Sequence, residues 1–439
     1  MNAHQVLDAQ TDTSIGIPRR YAWLVFALTF GLLISDYMSR QVLNAVFPLL
    51  KSEWMLTDSK LGWLSGIVAL MVGLLTLPLS FLADRFGRVK SLTIMAVLWS
   101  LATLGCALAE SYGQMFTARF LVGVGEAAYG SVGIAVVMSI FPKEMRATLA
   151  SAFMAGGMCG SFLGMALGGV MAEHLGWRWA FGGMAAFGLI LALLYPIVVK
   201  EKKINPSGQA YTKEQQPVKV KNALKTLYSS RTVVATYIGS GLQLFVAGSI
   251  IVWMPSYLNR YYAMPTDKAG ILAAVIVLGG AVGTIFCGML SDRLGRVRAD
   301  RKTSLAISFC LGSCLLLSAA FALPAGTVQL VLLCLGVFIV IGTNGPSMAM
   351  VANLTHNSVH SSAFATLTIA NNLLGLALGP LIIGKVSDHL GLHGAFQLMP
   401  LMSIFAAAVF FYAKRHYHND ITRLTEQGLL PPSAPQQHK

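Results

Sequence analysis

Apolar stretches long enough to cross a bilayer recur along almost the whole of this chain, and few folds other than a membrane-spanning one can accommodate them. Twelve can be marked: residues 21–47, 61–83, 91–109, 116–141, 147–171, 179–199, 233–258, 269–291, 303–323, 328–354, 361–384 and 395–413. A bilayer core asks for about 20 apolar residues per helix. Of the 439 residues, 55% are hydrophobic and only 11% charged, against roughly 25% charged in soluble proteins. In water such a chain would expose aggregating apolar patches. The expected fold is therefore an all-α membrane protein of twelve transmembrane helices, with short seams that make consecutive helices antiparallel.

The charges define the organisation. Residues 1–20 read as a polar N-terminal tail, 21–199 as a first six-helix half, 200–230 as a lysine-rich central loop, 231–413 as a second six-helix half and 414–439 as a disordered C-terminal tail. Lys and Arg concentrate in alternate seams: Arg19 and Arg20; Arg85, Arg88 and Lys90; Lys143 and Arg146; the central lysines; Arg293 to Lys302; Lys414 and Arg415. The other seams hold few: Lys51, Lys60, Arg178, Arg260, Lys268 and Lys385. By the positive-inside rule the rich set is cytoplasmic, so both termini lie inside and the expected location is the cell (inner) membrane. The net charge of +14 is thereby assigned to topology and anionic lipid. No basic aromatic module points to nucleic acid. Nucleophile–base constellations, phosphate loops and metal-ligand spacings are missing from the sequence, so no enzyme, cofactor or metal is expected. The six cysteines lie inside apolar runs and read as packing residues.

The halves repeat. Asp84-Arg85-Phe86-Gly87-Arg88 follows the second segment and Asp292-Arg293-Leu294-Gly295-Arg296 the eighth, 208 positions later. Repeats at equivalent seams of two six-helix halves mark a transporter architecture. With Gly288 to Arg296 and Ser80 to Arg88 on either side of that offset, the chain resembles the major facilitator superfamily over nearly its whole length. The likeness extends to the anion:cation symporters and the spinster-like group through Asp36-Tyr37-Met38-Ser39-Arg40 and through Arg119-Phe-Leu-Val-Gly-Val-Gly-Glu126-Ala127. Those groups carry an aspartate beside the arginine, where this chain has Ser39; its acid stands at Asp36. The resemblance implies a single-chain, alternating-access transporter acting as a monomer. It also implies that Asp84, Arg85, Arg88, Asp292, Arg293 and Arg296 form a conformational latch.

Four charges fall inside the spans: Asp36, Arg40, Arg119 and Glu126. A mid-bilayer charge costs about 2.5–3.5 kcal/mol on insertion scales, so these should pair or line a wet chamber. Asp36 and Arg40 share one helix face, as do Arg119 and Glu126. At a rise of about 1.5 Å per residue, both carboxylates sit near mid-depth and both guanidiniums nearer the outer side. A planar guanidinium matches a carboxylate, so Arg40 is the expected binder of a small organic anion such as a sugar acid, dicarboxylate or aromatic carboxylate. Glu126, then Asp36, are the candidate proton carriers, with Arg119 orienting Glu126. The competing structural reading is a closed salt-bridge cluster. Tyr37, Gln243, Asn344, Asn371 and Asn372 are candidate substrate contacts, or alternatively helix-bridging polar groups. Trp253, Tyr257, Tyr261 and Tyr262 read as an interfacial belt. The expected function is proton-coupled uptake of an organic anion. The alternatives are a proton-antiporting exporter of lysolipid or drug-like molecules and, more remotely, a non-transporting sensor.

Overall fold

A computed structural model describes residues 18–142, 145–204, 230–295, 301–355 and 360–426. The N-terminal half comprises α1 (Arg19–Trp54), α2 (Asp58–Phe86), α3 (Arg88–Ala107), α4 (Tyr112–Glu126), α5 (Tyr129–Ile140), α6 (Arg146–Leu175) and α7 (Trp177–Val198). The C-terminal half comprises α8 (Arg231–Tyr261), α9 (Thr266–Gly295), α10 (Arg301–Ala322), α11 (Thr327–Val340), α12 (Asn344–Asn353), α13 (His360–Ala370), α14 (Leu378–Leu398) and α15 (Met402–Glu426). α4 with α5, and α11 with α12, each make one interrupted span. α13 runs into α14 through a π-helical segment, Asn371–Ala377. Among the described residues, eleven continuous helical stretches are long and apolar enough to cross a bilayer. The last of them, Ser362–Glu426, spans 65 residues. At about 1.5 Å per residue it is far too long for one crossing. It turns back at Gly391, whose φ of 72° and ψ of 161° are not helical, giving twelve passes.

Local chemistry sets the helix ends. Thr57, Ser111 and Ser230 accept hydrogen bonds from Lys60 N, Gln114 N and Val233 N, so each caps a helix start. Gly87 and Gly176, with φ of 99° and 92°, turn the chain between α2 and α3 and between α6 and α7. Spans four and ten, which occupy equivalent places in the two halves, both break at mid-depth. The first breaks at Ala127–Ala128 and the second at the 3-10 turn Ile341–Thr343. Interrupted helices at this depth are tolerated where they face protein or a cavity.

The glycine run of span five is a docking surface for α1. A methyl group on Gly160 would lie 2.6 Å from Ile34 O, and one on Gly164 would lie 2.8 Å from Met38 O. Gly156 meets Phe30 and Gly168 meets Val42. Small residues four apart let two helices touch along their backbones.

Three expectations are corrected. Residues 414–426 are not a disordered tail: α15 continues to Glu426, with Tyr417, Asp420 and Leu424 buried. The Asp420 carboxylate accepts from Ser230 Oγ and Thr232 N, both at 2.8 Å, which ties α15 to the start of α8. Second, Trp253 and Tyr257 are not an interfacial belt. They are 0% and 1% exposed, Trp253 with its ring against Phe47 of α1 and Tyr257 packed inside the C-terminal half. Trp253 Nε1 donates to Pro380 O, and the Tyr257 ring stacks on Phe396. Third, Lys51, Arg178 and Arg260 are more than topology charges, because each is engaged by a carboxylate.

The halves meet at the end carrying the turn between α1 and α2, here the far end. α2 packs on α14 and α6 on α9. At the opposite, basic end, α5 and α12 pack chiefly within their own halves. Gly160→Leu is expected to drive α1 off α6, at about 1–3 kcal/mol of overpacking, lowering the thermal midpoint in detergent. Gly130→Ala, at a position with nothing within 4 Å of an added methyl, should leave that midpoint unchanged.

Candidate functional site

Glu126 is the last residue of α4, and its side chain is fully buried. The α1 face carrying Asp36 and Arg40 crosses it there. Arg40 Nε and Nη2 both donate to Glu126 Oε2, at 3.0 and 2.9 Å. Asp36 Oδ1 lies 3.8 Å from Arg40 Nη2, one helical turn away. The two carboxylates and Arg40 therefore form one cluster. Of the three side chains only Arg40 keeps a substantial exposed fraction, 19%, against 4% for Asp36. The donors do not cover the acceptors: Glu126 Oε1 and Asp36 Oδ1 are buried and accept no hydrogen bond from the donors of the described residues, while the two carboxyl groups lie close enough to hydrogen-bond each other when one is protonated. The Tyr37 ring sits 5.4 Å from the Arg40 guanidinium carbon, in cation–π range, with its other flank against Gly157.

Arg119 is placed beside the cluster but bonded elsewhere. It is 0% exposed. Its guanidinium donates to Ser39 O at 3.0 Å and to Arg40 O and Leu64 O, both at 3.4 Å. A helix whose carbonyls accept from a neighbour's guanidinium is fixed in register, so Arg119 pins α1 and α2 to α4 at the level of Arg40. Its charge still acts on Glu126 at a distance, but its hydrogen bonds go to backbone carbonyls and to the Cys106 thiol rather than to a carboxylate. Thr76 Oγ1, on α2, lies 2.7 Å from Ala127 O, the carbonyl freed by the break after Glu126, and shares its one proton between that carbonyl and Val72 O of its own helix.

The C-terminal half contributes polar groups without charge. Asn371 opens the π-helical segment and accepts from Ser240 Oγ at 2.8 Å, keeping part of its surface exposed. Asn344 opens α12 just after the break in span ten and is half-buried. π-helical turns often occur at functional sites. Asn372 is buried, donates to Thr368 O and packs at Gly73 of α2. Gln243 has no exposed surface: its amide donates to Ser313 Oγ and Val340 O, bridging α8, α10 and α11. Gln243 thus sits within the helix packing rather than along the space between the halves.

At the basic end Asp84 pairs with Arg88 at 2.9 Å. Glu201 accepts from the backbone N–H groups of Arg88 and Val89, capping α3. In the second copy Asp292 is exposed and reaches Lys302 at 3.9 Å. Arg85 and Arg293 are exposed, and Arg296 lies outside the described residues. His360 is part-buried and hydrogen-bonded to two backbone carbonyls, at Ala352 and Thr355.

One set of polar residues escaped the sequence reading. Asp58, at the start of α2, is 2% exposed. Its carboxylate takes Lys51 at 2.6 Å, Arg260 at 2.7 and 2.8 Å, and Ser387 at 2.5 Å. Lying just outside an apolar run, it looked like an ordinary seam residue. Its only sequence signal is the position directly after the capping Thr57. Arg119→Lys keeps the charge but cannot span three carbonyls. It is expected to cost about 1.5–3 kcal/mol, read as a lower thermal midpoint for the purified protein.

Comparison with known proteins agrees with this architecture. The family model described as Major Facilitator Superfamily matches residues 29–375. The chain is 26% identical over 463 residues to protein spinster homolog 1 of Xenopus laevis, covering 96% of this chain and 86% of that protein. It is 26% identical over 384 residues to a sphingosine-1-phosphate transporter of Danio rerio, covering 83% and 75% of the two chains. Among solved structures, a bacterial homologue of the human lysosomal transporter spinster, inward-facing and unoccupied, superposes with a TM-score of 0.82 at 19% identity. That match covers 92% of this chain and 99% of that one. With the matching model spanning most of both halves, the chain belongs to the major facilitator superfamily of membrane transporters.

Proposed function

We propose that this protein is a proton-coupled transporter of an organic anion, working by alternating access, with Arg40 binding the anion and Glu126 carrying the proton. The observation that carries the reading is the Arg40–Glu126 pair: a partly exposed guanidinium whose fork is taken up by a fully buried carboxylate. An incoming carboxylate or phosphate competes for that fork. Once displaced, Glu126 is a buried carboxylate without its cation, an expensive state. Taking up a proton removes the cost. Anion and proton then enter together, which is symport. The facing carboxyl groups of Glu126 and Asp36, each with a buried oxygen that accepts no hydrogen bond, supply the place for that proton, and Asp36 stands in for the acid that Ser39 lacks. Asn344 and Asn371, half-exposed in the facing half, are the proposed contacts for the remainder of the substrate, with Tyr37 flanking Arg40. The basic end is the cytoplasmic one in this reading, the membrane is the cell (inner) membrane and the unit is the monomer. The Asp84–Arg88 pair and its second copy act as the latch at that end.

A second reading is favoured by Tyr37 and Phe30, both half-buried on α1 two turns apart, and by the relative described as a sphingosine-1-phosphate transporter. There the anion is an amphiphile with a phosphate head, moved outward in exchange for protons. Reconstituted vesicles separate the two. A panel of sugar acids, dicarboxylates, aromatic carboxylates and a lysophospholipid is offered with and without an imposed pH gradient. Gradient-driven accumulation of a small carboxylate supports the first reading. Proton-driven movement of lysophospholipid alone supports the second.

Glu126→Gln is expected to abolish accumulation against a gradient, by at least about 100-fold, while anion exchange at equal pH persists. Full proton-driven uptake by this variant would refute the assignment. Arg40→Ala should remove both activities, and Arg40→Lys should restore only a small part because it lacks the planar fork.

A further inference from the structure

The contacts closing the far end obey the internal repeat residue by residue. Gly62 and Gly270 are 208 positions apart on α2 and α9, and each meets the other half at backbone distance. A methyl on Gly62 would lie 2.6 Å from Pro380 O, and one on Gly270 would lie 2.8 Å from Met165 O. Pro380 and Met165 are 215 positions apart. The same offset relates Gly384-Lys-Val-Ser-Asp388-His-Leu-Gly391 to Gly169-Val-Met-Ala-Glu173-His-Leu-Gly176. Both closing glycines have positive φ, so both segments end their helices the same way.

Each segment aims its carboxylate at a helix start in the opposite half. Asp388 accepts from Asp58 N at 2.6 Å and Ser59 N at 3.1 Å, at the head of α2. Glu173 accepts from Thr266 N at 3.0 Å, at the head of α9. Asp58 and Thr266 are again 208 positions apart. A helix start carries free N–H groups and a partial positive charge, and a carboxylate there is stabilising.

We infer that Asp388 and Glu173 are paired gate residues, two symmetry-related caps that hold the far end shut and must both release for the protein to open there. The two seams are unequal. At the Asp388 seam the capped residue is itself an acid, and Asp58 adds Arg260 and Ser387 across the halves, with Lys51 from its own half. At the Glu173 seam the capped residue is Thr266, and among the described residues the cap stands without such an ion-pair hub. The Glu173 seam is therefore the one that parts first. This inference rests on the two halves alternating and not on the identity of the anion or on proton coupling.

The test is a pair of spin-label distances in nanodiscs, in a background with the six native cysteines replaced. Ser52→Cys with Lys268→Cys reports the far end, and Lys90→Cys with Ser362→Cys reports the basic end; all four positions are exposed. Asp388→Asn and Glu173→Gln should each raise the far-end-open population about two- to fivefold, and together they should act multiplicatively. The basic-end distance should shorten in step. Asp388→Glu, Glu173→Asp and the control Glu110→Gln should leave both distances as in the parent and confirm that the labelled protein folds. Unchanged distributions in the double variant would overturn the inference. So would a far-end lengthening without basic-end shortening, which would mean local fraying. Because no substrate is used, a failed uptake assay leaves this result intact, and the converse holds as well.

Discussion

A carboxylate with no exposed surface facing a guanidinium that keeps a little of its own is the interaction around which the N-terminal half is arranged. Neither Arg40 nor Glu126 could stay charged alone at mid-depth. Together they satisfy each other only in part, since both Arg40 donors converge on one carboxylate oxygen and leave the other bare. The neighbouring helices are shaped around that incomplete pair. Span four breaks immediately after Glu126, and Thr76 reaches the freed carbonyl. Arg119 spends its hydrogen bonds on α1 and α2 backbone, locking the register at which Arg40 meets its partner. A fully satisfied ion pair would be rigid and inert; this one keeps a buried oxygen and an exposed edge of guanidinium free.

The halves share a plan but not a chemistry. Spans four and ten break at matching depths, yet the first break presents Glu126 and the second presents Asn344. Glycines of α2 and α9 touch the opposite half at matching positions. Backbone-to-backbone contact of this kind has few side chains to unlock, so it suits surfaces that separate and re-form. Among the described residues, stronger directional contacts between the halves lie at the far end, where carboxylates meet helix starts and Asp58 gathers its cations. Among the described residues the halves thus pack closely through small residues, with their hydrogen bonds and ion pairs gathered at one end.

Much of this was legible from residues alone. The apolar run lengths gave twelve crossings, including the two that one long helical stretch conceals, because Gly391 and the flanking polar residues break the pattern. The 208-residue offset gave the two halves. Asp36, Arg40, Arg119 and Glu126 stood out because charge inside an apolar run has few innocent explanations. Other features were hidden. Asp58 sits one residue beyond a capping threonine and looks solvated until Arg260, some two hundred residues later, folds against it. The aromatic residues of α8 looked interfacial because composition cannot tell which face of a helix meets lipid. The C-terminal tail looked unstructured because its helix is secured by Asp420 reaching the start of α8.

What the sequence by itself determined is the class of solvent and the count: a bilayer, twelve passes, two related halves, and four charges in the first of them. Hydropathy acts locally along the chain, and so it can be read there. What only the tertiary structure decided is partnership. It gave Glu126 to Arg40 and left Arg119 with carbonyls, buried Gln243 within its own half, and turned two exposed acids into caps across the seam. A hydrogen bond acts over about 3 Å, and nothing in the order of residues states which distant groups will come that close.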